Sequence, residues 1–443
     1  RCSIHGTVAT TFLIVNMGTT DANAVPQVDW LGAGETVQLY GAQMEAGSTL
    51  SSYIPTTSSA VYLPRVGHHI YNGSAWVNEG ILHESEARAN LYLNSSETST
   101  SASFGITKTS DSAVSPDGTT TADLITPDAS NNRHLFQYSS SYSANDGSKE
   151  TYSFYAKSNG YNLLEVSQRN QGGGTVTKFD LSAVTATTTG GTEIFKSIED
   201  VGNGWYRCSA SYITDNVNPY PAVEFLDTDG SQGFTPDGTS GIYFWGHQLE
   251  VGSTPSSYIP TSGSTVTRAA ETLTVPAANL PYSSTNMSIQ MDGKMTYADN
   301  DIFPTSQGVF GEVSFFLWQL DILDFISTGI NTGSARLGQY EAAQRTSTSE
   351  WGSGGGVQIT QGASSTYSPD INVPFNTSSI HSPTFIKGAT EGTLTTSAYP
   401  SRQGLPDLSS TNLELGSTFM GTIGKFRMWD EDLTDTGITE AST

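Results

Sequence analysis

The feature that most constrains this chain is an internal repeat. Residues 41–56 (GAQMEAGSTLSSYIPT) recur as residues 246–261 (GHQLEVGSTPSSYIPT), with twelve of the sixteen positions identical. Self-similarity of this extent indicates two copies of one structural unit. The copies extend upstream, because residues 1–3 (RCS) align with residues 207–209. The first copy has far less sequence before this point, so we expect the chain as given to open inside a unit whose remaining strands either precede the given sequence or are supplied by another chain through strand addition.

The local pattern around both copies is typical of short β-strands. Residues 37–45 (VQLYGAQME), 151–157 (TYSFYAK) and 241–250 (GIYFWGHQLE) are rich in β-formers and partly alternate between apolar and polar side chains. Turn signals such as Asp237-Gly238 bound these runs. No convincing helical pattern lies between them. The sequence therefore predicts an all-β fold built from β-sandwiches.

Composition and charge exclude several classes of protein. With 36% hydrophobic and 10% aromatic residues, the chain can build several cores, and its 443 residues predict more than one domain. The formal net charge of −24 repels phosphate, which excludes nucleic acid as a main partner. The longest apolar stretch, residues 313–326, is interrupted by Gln319, Asp321 and Asp324, so we predict no membrane insertion.

The sequence lacks the motifs of the common catalytic centres. It contains no G-x-S-x-G, no phosphate-binding G-x-x-x-x-G-K-[ST], no H-E-x-x-H and no C-x-x-C. Its two cysteines, Cys2 and Cys208, are too few for a disulfide framework, and we interpret both as small buried hydrophobic residues. We therefore predict a protein that is not an enzyme and has no obligatory cofactor.

Several motifs, in order, resemble a module that is common in bacteriophage virion proteins. They are residues 88–93 (RANLYL), 116–123 (PDGTTTAD), 152–157 (YSFYAK), 204–207 (GWYR), 245–250 (WGHQLE) and 257–261 (SYIPT). That module is a jelly roll similar to carbohydrate-binding modules. Here Ala89 stands where the family usually has Thr, and His83 where it usually has an apolar residue. The tail, residues 419–443, resembles the closing strand of laminin-G or concanavalin-like domains.

The resemblance implies tandem jelly-roll β-sandwiches followed by a concanavalin/laminin-G-like sandwich. The expected domain order is the C-terminal part of a truncated jelly roll (1–57), a linker (58–86), a complete jelly roll (87–261), a second linker (262–280) and the laminin-G-like domain (281–443).

The resemblance also implies a function. It indicates a structural protein of a phage particle, in a tail or head fibre or another appendage, located at the virion surface. Its expected partners are other virion proteins and host-surface glycan, and its expected assembly is a homotrimer. Two alternatives remain open: a tailspike-like polysaccharide depolymerase and a secreted bacterial carbohydrate-binding protein. The depolymerase predicts a long β-helix with a short regular repeat, which the sequence does not contain.

Two tryptophans are the candidates for glycan contact. Trp76 and Trp351 lie in Gly/Ser-rich segments, where core burial is less expected than in a strand. An exposed aromatic face in a loop is suited to stacking on a sugar ring. Trp205 and Trp245 lie in strand-like runs, and we interpret them as core residues.

Three further sets of polar residues have a functional and a structural interpretation. Asp227-x-Asp229-Gly has the alternating oxygen spacing of a Ca²⁺ loop but lacks the distal Glu, so a simple turn is the alternative. The pair His68-His69 has no spaced third ligand nearby for a metal. The repeated pairs are candidates for sugar or Ca²⁺ contact, although repetition favours a role in holding the fold. They are Gln43 with Glu45 and Gln248 with Glu250.

Overall fold

The computed structural model describes residues 65–99, 102–138, 148–169, 174–190, 195–213, 220–297, 312–321, 324–331, 339–345, 358–361, 371–395 and 405–443. All of them belong to one compact unit, Tyr62–Thr443. The first copy of the repeat lies outside the described residues.

The described chain opens with a β-hairpin of β1 (Arg65–Tyr71) and β2 (Trp76–Glu84). Its turn is set by Asn72, whose Oδ1 accepts hydrogen bonds from the main-chain N–H groups of Ser74 and Ala75 at 3.1 and 3.0 Å. Such an Asx turn explains why an Asn-Gly pair stands at this position.

The next strands form a first sandwich of two six-stranded sheets. Its strands, preceded by the short strand β3 (Arg88–Asn90), are β4 (Ala102–Phe104), β5 (Ile106–Ala113), β6 (Ala122–Pro127), β7 (Leu135–Gln137), β8 (Lys149–Asn159), β9 (Leu163–Arg169), β10 (Val176–Asp180), β11 (Thr185–Thr189), β12 (Phe195–Asp200), β13 (Trp205–Ile213), β14 (Tyr220–Phe225) and β15 (Gly241–Val251). One sheet has the order β11-β10-β9-β14-β7-β4 and the other β12-β13-β8-β15-β6-β5, and the chain crosses repeatedly between them as in a jelly roll.

The core between these sheets is built mainly from alternating aromatic residues. Phe154, Phe179, Phe225 and Phe244 are fully buried and contact one another at tilted or edge-to-face angles. Such contacts add to the free energy of burying the rings. Cys208 lies in the same core as a free thiol.

The remaining strands form a second sandwich. Its elements, preceded by the short strand β16 (Val266–Arg268), are β17 (Leu273–Val275), a 3-10 turn (Ala277–Asn279), β18 (Met287–Tyr297), β19 (Glu312–Asp321), β20 (Asp324–Asn331), β21 (Gln339–Arg345), β22 (Gln358–Gln361), β23 (Pro374–His381), β24 (Ile386–Thr390), β25 (Thr393–Leu394), β26 (Leu413–Leu415), β27 (Met420–Trp429) and α1 (Thr434–Ala441). Together with the opening hairpin these strands form two sheets, of the orders β1-β2-β27-β18-β23-β24-β25 and β17-β26-β19-β20-β21-β22.

The opening hairpin is part of this second sandwich. Strand β2 pairs antiparallel with β27, from Ile81 opposite Ile423 to Glu84 opposite Met420. Gly80 has a φ of 115°, and a Cβ there would lie 2.2 Å from the carbonyl oxygen of Ile423, so only glycine permits this close approach. The second sandwich therefore consists of two separate stretches of chain, with the first sandwich inserted between them.

The predicted all-β fold is confirmed. The two segments that the sequence predicted as linkers contain β-strands. Residues 65–84 of the segment 58–86 form the hairpin, and residues 262–280 contain β16, paired with β3, and β17, paired with β26. The main-chain groups of these segments form hydrogen bonds in the sheets, although their side chains show little alternation between apolar and polar residues. No helix in the described residues is long and apolar enough to cross a membrane.

Candidate functional site: a cleft at the hairpin tip

Trp76 lies at the tip of the hairpin with an exposed ring. Its side chain is 54% exposed, and its ring centroid lies 5.8 Å from that of Tyr71 at an angle of 58°. Both rings rest on Gly202 of the first sandwich, where a Cβ would lie 3.4 Å from Tyr71 and 3.5 Å from Trp76. The aromatic rings of the hairpin, which belongs to the second sandwich, thus contact a turn of the first sandwich.

An open cleft of about 180 Å³ begins at this contact. It is lined by Trp76, Val114, Ser115, Pro116, Lys157, Val201, Gly202, Asn203 and Trp205. Val114, another lining residue, is itself more than half exposed. The cleft therefore combines apolar surface with hydroxyl, amide and ammonium groups.

Hydrogen bonds between side chains and the main chain hold the segments that line the cleft. The Trp205 indole N–H donates to the carbonyl oxygen of Val114 at 3.1 Å, and the Asp200 carboxylate accepts from the N–H of Gly202 at 2.8 Å. Gly202, Asn203 and Gly204 all have a positive φ, at 83°, 54° and 76°. This left-handed run turns the chain sharply between β12 and β13 and places Asn203 at the surface.

Lys157 supplies the charge of the cleft. It lies on β8, opposite Trp205 on β13, and its side chain is half-buried. Among the cleft-lining residues it alone has an acidic or basic side chain. Within the described part of the chain, no carboxylate forms an ion pair with its ammonium group. The arrangement can bind a polar ring through the Trp76 face and can donate charge-assisted hydrogen bonds from Lys157.

The sequence predicted Trp76 as a site residue but did not identify Lys157 or Asn203. The signal available for Asn203 is the pattern Gly202-Asn-Gly204, which predicts consecutive positive φ angles and hence an exposed turn. Lys157 lies in an alternating strand, and strand periodicity does not reveal which neighbouring segment its side chain faces.

The candidate calcium residues form a tight turn. Asp227 Oδ1 accepts from the N–H of Thr228 at 2.7 Å, and Asp229 Oδ1 accepts from the N–H and hydroxyl of Ser231 at 2.8 and 2.5 Å. Lys178 Nζ donates to the carbonyl oxygen of Gly230 at 2.9 Å. No group of three His, Cys, Asp or Glu side chains with metal-binding geometry occurs among the described residues.

The second copy of the repeated pair is buried in a hydrogen-bond network. Gln248 and Glu250 are fully buried, and their side chains bond each other. Gln248 Oε1 accepts from the N–H of Ile259 at 2.7 Å, and Glu250 Oε1 accepts from the N–H of Ser256 at 2.9 Å. The pair thus fixes the SSYIPT segment against β15. Burial raises the pKa of Glu250, while Arg88, at 3.8 Å, opposes that effect.

The other sequence candidates are not brought to the cleft. Trp351, Gln43 and Glu45 lie outside the described residues. His68 and His69 lie on β1, and His69 Nδ1 is 2.6 Å from the carbonyl oxygen of Gly67.

A second groove lies at the edge strand β4. It measures about 350 Å³ and is bordered by Phe104, which is 50% exposed, and by Arg133 and Gln137. The Arg133 guanidinium is held in a two-point contact by the Glu224 carboxylate, so its charge is already balanced within the fold.

The described residues thus define an all-β protein of two coupled sandwiches with an open aromatic cleft where they meet. No protein-family model matches the chain, and no curated protein matches its sequence.

Among solved structures, the chain is similar to the CBM40 module of the Ruminococcus gnavus IT-sialidase bound to alpha2,6 sialyllactose, with a TM-score of 0.27 and 12% identity over 36% of this chain and 85% of that one. It is similar to a leech intramolecular trans-sialidase, with a TM-score of 0.26 and 14% identity over 36% of this chain and 23% of that one. It is also similar to domains LG4-5 of the mouse laminin alpha1 chain, with a TM-score of 0.23 and 10% identity over 76% of this chain and 91% of that one.

Proposed function

We propose that this chain is an adhesive structural protein of a bacteriophage particle, located in a tail or head fibre or appendage, which binds host-surface glycan weakly at the Trp76 cleft. The observation that carries the adhesive part is the exposed indole of Trp76 beside an open cleft with polar walls. The phage assignment is supported by the sequence resemblance of the repeated module. Detection of the chain by mass spectrometry in purified particles tests that assignment.

Weak binding at one cleft is compatible with firm adhesion when several copies act together. A single site with a Kd of about 1 mM contributes about −4 kcal/mol, and linking sites raises the overall affinity by orders of magnitude. We propose a homotrimer as the working assembly. Light scattering of the purified chain should give three times the mass of 47.1 kDa, and a mass of 47.1 kDa at micromolar concentration would contradict it.

The binding test compares two exposed aromatic residues. Trp76→Ala should lower retention on a surface densely coated with bacterial oligosaccharides by about tenfold, the equivalent of about 1.4 kcal/mol. Phe104→Ala removes an aromatic ring of similar exposure at the other groove and should leave retention unchanged. Loss of binding in the Phe104 variant alone would move the site to the second groove. Release of soluble oligosaccharide would contradict a purely adhesive role.

A further inference from the structure

We infer that the Trp76 cleft accepts a saccharide that carries a carboxylate, with the sugar ring on Trp76 and the carboxylate on Lys157. The inference rests on the proposed glycan binding and specifies the chemical class of the glycan. It depends on the state of Lys157, on the groups around it and on the size of the cleft.

Among the described residues, Lys157 donates neither to a carboxylate nor to a carbonyl oxygen, whereas Lys178 and Arg207 donate to the carbonyl oxygens of Gly230 and Ser256. The chain has 43 acidic and 19 basic residues, so a carboxylate partner is available to most basic groups. Lys108, for example, contacts Asp123 at 2.9 Å, and Arg88 contacts Glu86 at 3.0 Å. Lys157 has no such partner among the described residues. A cation that is half-buried and unpaired has lost hydration without gaining a counter-charge, so an anionic ligand would stabilise it.

The stem of the Lys157 side chain also lies beside the turn that lines the cleft. Its Cε and Cδ atoms are 3.6 and 4.0 Å from where a Cβ of Gly204 would be, so the missing side chain of this glycine leaves room for the stem. Lys157 is itself a lining residue of the cleft. A side chain whose stem is packed before the ligand arrives loses less entropy on binding.

The carboxylates that flank the cleft accept hydrogen bonds within their own turns. Asp117 accepts from the hydroxyl of Ser115 at 2.6 Å and from the N–H of Thr119 at 2.9 Å. Although partial burial opposes it, these hydrogen bonds lower the pKa of Asp117. Asp200 accepts from the N–H of Gly202. Neither forms an ion pair with Lys157, so the ammonium charge is left for a ligand.

The size and polarity of the cleft fit a single sugar ring. A volume of about 180 Å³ lies below the usual range of about 300–1,000 Å³ for drug-sized ligands. The exposed Trp76 face suits the apolar face of a pyranose, and the Asn203 amide offers both a donor and an acceptor for its hydroxyls. A hexuronate and a sialic acid share this chemistry, because each places a carboxylate on a pyranose ring.

The test compares acidic with neutral saccharides by titration calorimetry on the whole chain. The probes are sialyllactose, an oligogalacturonate and lactose, which lacks the carboxylate. We expect at least one acidic probe to bind about tenfold more tightly than lactose, with an advantage that shrinks as salt is raised from about 0.05 to about 0.5 M. Whichever acidic probe binds identifies the source of the carboxylate.

Charge variants separate this inference from the proposed function. Lys157→Gln should remove the acidic preference while weak binding of lactose remains, and Lys157→Arg should retain the preference. Lys425→Gln makes the same charge change on an exposed side chain of β27 and should change nothing. Equal binding of acidic and neutral probes, or an unchanged preference in Lys157→Gln, would overturn the inference while glycan binding stands. Binding of neither class would overturn both. An unchanged melting temperature shows that each variant is folded.

Discussion

Ser257 holds the carboxylate of Glu84 through both its main-chain N–H and its hydroxyl, at 2.8 and 2.6 Å. Glu84 ends β2 of the second sandwich, and Ser257 belongs to the repeated block of the first. On its other side Glu84 contacts Arg268 Nη1 at 2.9 Å. Glu84 is almost fully buried. One buried carboxylate therefore links the two sandwiches.

Replacing Glu84 should destabilise the link between the sandwiches. Glu84→Ala removes the acceptor of Ser257 and the charge facing Arg268, and breaking a buried charged network costs about 3–5 kcal/mol. Urea unfolding followed by tryptophan fluorescence should show the loss as a lower midpoint or as two separate transitions. Glu414→Ala, at an exposed position of β26, is the matched control and should change the free energy of unfolding by less than about 0.5 kcal/mol. Equal midpoints for the two variants would contradict the role of Glu84.

Gly252 is required where the repeated block passes Arg88. Its φ is 143°, and a Cβ there would lie 1.4 Å from Arg88 Nη1. Gly252→Ala should therefore displace Arg88 from Glu250 and cost more than the strain of about 1 kcal/mol that the backbone conformation alone imposes. Gly263→Ala is the comparison for a positive φ without a clash, because Gly263 has a φ of 79° and no atom lies within 4 Å of the point where its Cβ would be. Similar melting temperatures for the two variants would show that the contact with Arg88 contributes nothing.

Two buried histidines should make the fold sensitive to acid. Burial lowers the pKa of His247, in the first sandwich, and of His381, in the second, to about 3. Both are neutral in the folded protein but take up protons in the unfolded chain below about pH 6.5. Their contribution to stability is therefore complete above about pH 6.5 and is lost as the pH falls towards about 3, at about 1.4 kcal/mol per pH unit for each.

Chemical unfolding at pH 7, 6, 5 and 4 measures this slope. For His247 and His381 together, the free energy of unfolding is expected to fall by about 3 kcal/mol per pH unit below about pH 6. His381→Gln should remove about half of this pH dependence. Glu250, whose pKa is raised by burial, acts in the opposite direction at the acid end. A free energy of unfolding that is flat between about pH 6.5 and about pH 4.5 would contradict the prediction.

The buried pair of Gln248 and Glu250 should be important for the stability of the first sandwich. Glu250→Ala leaves the Ser256 N–H without its acceptor and removes the carboxylate near Arg88, at a cost of about 3 kcal/mol or more. Thermal unfolding of the variant checks this, and an unchanged melting temperature would show that the network contributes nothing.

The sequence predicted what depends on local periodicity and on repetition. The alternating runs around Tyr152, Trp205 and Trp245 are strands, and Trp205 and Trp245 are buried as expected. The pairing of β2 with β27 was not predicted, because it joins residues far apart in the chain and because Gly80, His83 and Glu84 break the apolar alternation. Of the cleft, the sequence predicted the exposed ring of Trp76, from its position in a loop. The neighbours of that ring come from three other segments and were not predicted.

The pairing of β2 with β27 has a consequence for how the protein is made. His83 Nε2 lies 2.8 Å from the carbonyl oxygen of Gly416, which is 333 residues later in the chain. During synthesis on the ribosome, the hairpin therefore has no partner strand until β27 has been made. The inserted sandwich, whose first and last segments are joined by the pairing of β3 with β16, is complete before then and folds first. The edge of the hairpin is open to other chains throughout that interval. We expect a polypeptide that is cut short before β27 to leave the edge of β2 unpaired, and therefore to aggregate more readily than the whole chain.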